Sequence, residues 1–504
     1  MLRTILSGLF VLNASAAFAD DPVVNLFETP GEKQDASSFE PAPERIETKF
    51  GTLSFTGGGV PTPETARLLY DEIDLQRATQ AYMDFLPHVS LYAIVKSQIR
   101  DLGFETSSDI GVTAEFMTPQ QPYLTGNNST IYAFASIDLK IDGPTVVEIP
   151  PGMYGTANDA AFRYLTDFGA TGPDKGEGGK YLFLPPDHEG EAPEGYFVFE
   201  APGYRIWAMM RGFGDVGTGD QALTWFGDRL KVYPLESGPR DGAVINASQI
   251  GMNPLPPENV GYFEMLHEII QHEPASLFDP EQLGRLAALG IIKGSPFAPD
   301  DRMRAILDQG AKQGVAMSRA ILYASREPEI RYWPERQWEK MFVRNTEFVV
   351  DGRSDIDART LWHYQAIVVS PNLLSKTPGV GTAYLTAARD GSGAPLDGAA
   401  TYTLTVPPNP PVKRFWAVTA YDPATRALLD SDGPITVGSL GDPVVKDDGS
   451  VDIHFGPEPV EGMENNWIRT HPEKGFFVVF RFYGPLEGYI EKSWIMNDFF
   501  QTRE

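Results

Sequence analysis

The chain has 504 residues with 42 Pro, 49 Gly and no cysteine, which excludes disulfides, thiolate metal sites and cysteine nucleophiles together. Its formal net charge of −27 would repel phosphate backbones and anionic lipid surfaces, and no local Lys/Arg cluster offsets this, so a nucleic-acid partner is not expected. A length beyond one ordinary core predicts at least two domains, and the abundance of Gly and Pro predicts many short elements joined by tight turns.

The N-terminus reads as a secretory signal over residues 1–19. Arg3 precedes the largely apolar Ile5 to Ala17, and Ala17-Phe18-Ala19 offers a small-x-small cleavage pattern. The apolar run is roughly thirteen residues, short of the about twenty needed to cross a bilayer. These features predict cleavage near Ala19 and a periplasmic or secreted bacterial protein with no membrane span. Residues 20–50, polar and Pro-rich, are expected to form a flexible leader.

Residues 51–250 are expected to hold N-terminal helices and a first β-sandwich. Phe50 to Phe55 alternates like a strand. Thr62-Pro63-Glu64 is a cap followed by a proline at a helix start, and Leu75, Ala78, Tyr82 and Phe85 share one face up to a stop at Pro87. Short strands follow at Thr130–Phe134, Val146–Ile149, Tyr196–Glu200 and Arg205–Met209. Residues 251–345 read as a helical connecting segment, with Asp279-Pro280-Glu281 as a second capped start. Met303, Ile306, Leu307, Gly310, Gly314, Met317, Ile321 and Ala324 trace one helix face, with two glycines where a neighbour can approach closely. Strand patterns return over 346–504: His363–Val369, Thr401–Val406, Gly475–Tyr483, and a hairpin at Asp448-Gly449 between Val444-Val445 and Val451–Ile453. Pro202–Met209 echoes Pro411–Val418 in its Pro, Arg, Trp and Ala spacing. Tyr233–Glu236 likewise echoes Tyr483–Glu487, which suggests two related sandwiches. The fold class expected is α+β, mainly β: two antiparallel jelly-roll-like sandwiches with helices before and between them.

Asp142–Gly152, Thr171–Gly176 and Gly178–Leu182 resemble the bacterial family called domain of unknown function 1254. Pro378–Gly381, Arg414–Asp422, Asp448–Ser450, Asn465–Ile468 and Arg481–Pro485 resemble its usual companion, domain of unknown function 1214. The resemblance runs from about residue 65 to 500. It implies an exported, jelly-roll-like architecture in two parts and no particular reaction. Many members carry Asn-x-Asp-Thr-x-Tyr, where this chain has Asn127-Asn128-Ser129-Thr130-Ile131-Tyr132, with serine in place of the acid.

Familiar catalytic patterns fail on spacing. His267 and His272 are five apart, roughly 140° around a helix, not the four a zinc protease requires. Gly172 to Lys180 lacks the glycine and hydroxyl positions of a phosphate loop, which leaves an ordered turn. No Gly-x-Ser-x-Gly elbow occurs. Asp447, Asp448 and Asp452 form too short a run for a calcium loop and read as a solvated hairpin. No cofactor or metal is therefore expected. Charged groups set in apolar strands remain, because a lone buried charge must pair, face solvent or line a pocket. Asp167, Lys180, Arg211 and Arg481 are candidates on this ground, and the two arginines suit an anionic ligand. His363, opening an aromatic-flanked strand, is the candidate acid or base. Trp207, Trp416 and Trp467 read as core, or as a platform for a sugar or aromatic ligand. Two readings stay open: a protein that binds a small molecule or a protein partner at a cleft between its domains, and a secreted hydrolase or lyase using the Asp/Lys/Arg/His set. Assembly into a homo-oligomer also stays open.

Overall fold

The computed structural model describes residues 42–212, 215–374 and 376–502. The signal-like segment of residues 1–19 and most of the expected leader lie outside the described residues. The chain divides into a compact unit ending at Leu69 and a second running from Tyr70 onward. In the first, Arg45–Thr48, Gly51–Thr56 and Val60–Pro61 form a small antiparallel meander, so strand structure begins before residue 50, where a leader was expected. The Thr62 hydroxyl accepts from the Thr65 amide at the start of the helix Pro63–Asp84, as the cap-plus-proline pattern predicts.

That helix ends at Asp84, just short of the expected stop, but Pro87 does not end helical structure altogether. It occupies the first turn of a new helix, Leu86–Asp101, where a proline costs no hydrogen bond. Farther along, Asp300 caps the helix Asp301–Tyr323. The face it buries contains Leu307, Gly310, Gly314, Ser318 and Leu322, while Met317, expected on that face, is 48% exposed. Asp279 accepts from the Glu281 amide, and Gln282 accepts from the Asp279 amide, a capping box on the helix Pro280–Ala288. Asp279→Ala is expected to cost about 1 kcal/mol in urea unfolding, while leaving the far-UV spectrum intact.

Apart from the meander and a two-stranded ribbon of Val349–Val350 with Arg353–Ser354, the described strands form four larger sheets, two in each half. In the first half, a six-stranded sheet runs Val244–Asn246, Ile110–Val112, Tyr132–Asp138, Arg205–Gly212, Met153–Asp159, Tyr164–Phe168. It is antiparallel except at its first pair. A four-stranded sheet runs Phe197–Glu200, Gly179–Leu184, Thr145–Ile149, Lys231–Pro234. Alternation along Arg205–Gly212 separates two cores. Ile206, Ala208 and Met210 join Val147, Phe183 and Val232 of the smaller sheet, whereas Trp207 faces Phe134, the helices and the second half. In the second half, a five-stranded antiparallel sheet runs Glu339–Lys340, Thr382–Ala387, Phe477–Pro485, Val412–Tyr421, Thr436–Gly438. A four-stranded sheet runs Trp467–Arg469, Val451–Gly456, Tyr402–Val406, Phe500–Gln501.

The fold is thus mixed α and β, with helix and strand in comparable amounts rather than mainly β, and with no closed barrel among the described residues. Two expected strands are replaced by other structure. His363–Gln365 ends the helix Ile356–Gln365, capped by Asp355, and 366–369 is extended loop. Val444-Val445 pairs with no strand among the described residues. The turn at Asp448-Gly449 exists, with Gly449 at φ +83°, but the Val444 amide donates to the Asn466 side chain instead. Of the two internal echoes, the first falls on comparable strands, Arg205–Gly212 and Val412–Tyr421, each inside its larger sheet. The second does not, because Tyr233 is on an edge strand of a smaller sheet and Tyr483 on a central strand of a larger one.

Candidate functional site

The six-stranded and five-stranded sheets face each other across a chamber of about 320 Å³. One wall carries Tyr132, Tyr154, Asp167, Met209 and Arg211. The other carries Thr382, Tyr384, Lys413 and Arg414, and the connection Val368–Leu373 closes one side. Pro378–Gly381 forms part of the rim. Gly379 (φ +75°) and Gly381 (φ +74°) take up a left-handed backbone there, the Gly379 amide donating to the Pro485 carbonyl and the Gly484 amide to that of Gly381. A smaller cavity of about 90 Å³ abuts the chamber and shares Tyr132, Met209, Val368, Leu373 and Tyr384 with it. Arg481 and Asn127 line this inner end.

Three of the five candidates converge here. Asp167, only 3% exposed, accepts from the Ser370 hydroxyl (2.9 Å) and the Asn372 amide, and its backbone N–H donates to the Tyr164 hydroxyl (3.1 Å). Burial pushes its carboxyl up to about 6, against the opposing hydrogen bonds from Ser370, Thr156 and Tyr164. Its partners are hydroxyls and an amide rather than a guanidinium. Arg211 reaches the chamber from the end of Arg205–Gly212, and Arg481 sits at the inner end. Lys413 and Arg414, both exposed, stand at the mouth.

The other two candidates lie elsewhere. Lys180 faces Glu148 across the smaller sheet of the first half, with its ammonium 3.7 Å from the carboxylate. His363 is on a helix and 2% exposed, its ring 5.5 Å from those of Phe162 and Phe348, with Nδ1 buried and unpartnered among the described residues. Burial and the nearby Arg359 hold its pKa well below the ordinary histidine value, so the ring is neutral at pH 7. It borders a separate cavity of about 770 Å³, where Asp84 pairs with both Arg285 and Arg359.

The motifs that fail on spacing have structural roles instead. Asp174 orders the Gly-rich turn by accepting from the Gly169 and Gly178 amides and the Tyr181 hydroxyl. On the helix Gly261–His272, His272 contacts Asp138 at 3.0 Å, while His267 stacks on Phe297. Asp448 accepts from Ser450, and Asp452 from Thr405 and Lys446. No cluster able to hold a metal occurs among the described residues. Trp207 and Trp416 are buried, and Trp467, partly exposed, donates to the Gly456 carbonyl. Sequence reasoning missed Ser370, Asn372, Tyr132, Tyr384 and Lys413 as cleft residues. Asn-Leu-Leu after Ser370-Pro371 carries no pattern that sets it apart from an ordinary turn.

Residues 109–234 match the family model described as protein of unknown function DUF1254, and residues 381–487 match that of DUF1214. The crystal structure of the VPA0106 protein from Vibrio parahaemolyticus is similar at TM-score 0.51 and 17% identity, covering 85% of this chain and 100% of its own; the likeness is one of fold. A crystal structure of an uncharacterized protein from Burkholderia cenocepacia reaches TM-score 0.39 at 12% identity, covering 87% of this chain and 97% of its own. No curated protein matches the chain.

Proposed function

We propose that this chain, which joins a DUF1254 segment to a DUF1214 segment, binds a small anionic molecule in the chamber on the seam between them. One observation carries the reading. A chain of net charge −27 places Arg211, Lys413 and Arg414 around one concave site whose walls, among the described residues, bring a single carboxylate, Asp167. Cations gathered against the overall charge concentrate field lines at the mouth and draw anions in. Tyr132, Tyr154, Tyr384 and Met209 offer apolar and aromatic surface to the body of such a ligand, and domain seams are where such pockets form. The paired sheets of each half, which share apolar clusters, support a jelly-roll-like sandwich in each. The signal pattern in residues 1–19 supports export and release from the membrane.

Thermal-shift screening of organic acids against the purified chain should raise its melting temperature, and Lys413→Glu with Arg414→Glu should weaken binding at least tenfold. If no class of small molecule moves the melting temperature, the reading fails.

A second reading, a hydrolase or lyase, is favoured by Asp167. A carboxyl with its pKa raised to about 6, facing a ligand chamber, is suited to proton exchange near neutral pH. It predicts turnover of a bound acid that Asp167→Asn abolishes without loss of binding. Binding without turnover in the unaltered chain excludes it.

A further inference from the structure

We infer that the ligand of the cleft is a carboxylic acid and that Arg481 receives its carboxylate, an assignment that rests on the cleft being the binding site. Arg481 lies within the central strand Phe477–Pro485 and is 2% exposed. Its Nη2 donates to the carbonyls of Thr125 (2.8 Å) and Gly126 (3.3 Å). Nε and Nη1 are buried with no well-formed hydrogen bond among the described residues, the Tyr421 hydroxyl being a weaker polar neighbour of the guanidinium. The rings of Tyr421 and Tyr384 lie 5.6 and 5.8 Å away, and among the described residues no carboxylate pairs with it. A guanidinium cannot shed its proton to escape burial, so the unliganded protein holds a cation with idle donors in a low-dielectric pocket. Such a group is costly to keep unless something supplies the missing acceptors part of the time.

The inner cavity is where the acceptors would arrive. It abuts the main chamber, sharing Tyr132 and Tyr384 with it, and among the described residues Arg481 is the one charged side chain lining it. The Asn127 amide donates to the Tyr132 hydroxyl at 3.1 Å, which leaves that hydroxyl's own proton to be donated to a second oxygen. One fixed cation and one phenol suit a monoanion with two oxygens. A phosphate, with its higher charge, would be undercompensated at this end. Met209, Val368 and Leu373 line both cavities, so the carbon body of the acid would lie along them, toward the mouth.

The test compares matched acids and amides on the full chain by isothermal titration at pH 7.5: benzoate against benzamide, phenylacetate against phenylacetamide, with inorganic phosphate alongside. The acids should bind at least tenfold more tightly than their amides, and phosphate more weakly than either acid. Phosphate binding best overturns the carboxylate assignment and leaves the anion-binding cleft standing, whereas acid and amide binding alike overturns both. If no probe binds, the carboxylate assignment falls, and the thermal-shift screen decides the cleft reading. Arg481→Met supplies a second readout. It should leave the unliganded melting temperature equal or higher, preserve amide binding, and reduce the acid-to-amide preference below twofold. A variant that unfolds or melts markedly earlier would make Arg481 a structural tie for Thr125 and Gly126 and overturn its role as the anchor.

Discussion

Gly310→Ala and Gly314→Ala are each expected to destabilise the protein by about 1–3 kcal/mol, and the pair together to prevent stable folding. A methyl group at Gly310 would lie 2.5 Å from the Ala78 Cβ and 3.2 Å from backbone atoms of Ala78 and Thr79. At Gly314 it would lie 2.6–2.7 Å from the Cδ1, Cβ and Cγ of Tyr82. Neither neighbour can give way locally. At Ala78 and Thr79 the obstacle includes backbone, and the Tyr82 ring is held by Tyr262, whose ring is 4.1 Å away and whose hydroxyl donates to the Tyr82 carbonyl. The helices would have to separate, opening a core in which Ala78, Tyr82, Tyr262 and Leu307 are all at most 1% exposed. The better helix propensity of alanine, about 1 kcal/mol, offsets part of this cost. Gly284, in the helix Pro280–Ala288, is the internal control. A methyl there meets nothing within 4 Å, so Gly284→Ala should stabilise by up to about 1 kcal/mol. Urea midpoints of the three single variants decide the matter. Equal effects at 284, 310 and 314 would show that close approach of the helices is not what requires glycine.

That close approach is legible in the sequence because glycine weakens a helix, so two of them four apart on its apolar face point to a neighbour that leaves no room for a Cβ. The strands at 145–149, 205–212 and 402–406 are legible because their apolar runs end in Gly, Pro or Asn. Segment 363–369 is not, because β-branched residues after His363 give the whole stretch a strand-like composition, while the Asp355 cap and burial of Leu361 and Trp362 determine a helix up to Gln365. The same holds for the site. Asp167, Arg211 and Arg481 stand out because charge inside an apolar strand is expensive. Lys180 satisfies the same rule and lies outside the cleft, since it begins its strand opposite Glu148. Lys413 and Arg414 carry no burial cost, and which cavity they face depends on sheets whose strands are far apart in the chain. No local pattern encodes that.

The acid limb of stability should be shallower from about pH 6 to 4.5 than below about pH 4. His88 and His363 are buried and neutral. Burial and the Arg163 and Arg359 charges take His88 down to about 3, and His363 also lies well below its ordinary value. Their unfolded forms take up protons below about pH 6.5, so the stability they confer is whole above that value and lost as pH falls toward 3. Asp167 and Glu339 act in the opposite sense. Burial raises them to about 6 and about 7, so their contribution is whole below the unfolded values near 4 and lost as pH rises through 6 to 7. Among these four most strongly shifted groups, two protons favouring each state offset one another over the middle range. Below about pH 4 the contributions of Asp167 and Glu339 are complete, and each ring adds about 1.4 kcal/mol per pH unit to a decline shared with carboxylates held below their ordinary values, Asp138 and Glu268 among them. Urea midpoints from pH 3.5 to 8 test this. Asp167→Asn should add a decline of about 1.4 kcal/mol per unit as pH falls from 6 to 4.5, and His363→Leu should make the steep stretch shallower by about 1.4 kcal/mol per unit. If both variants run parallel to the parent across the range, neither group carries the folding-linked protons assigned to it, and the neutral, enclosed imidazole at position 363 loses its thermodynamic support.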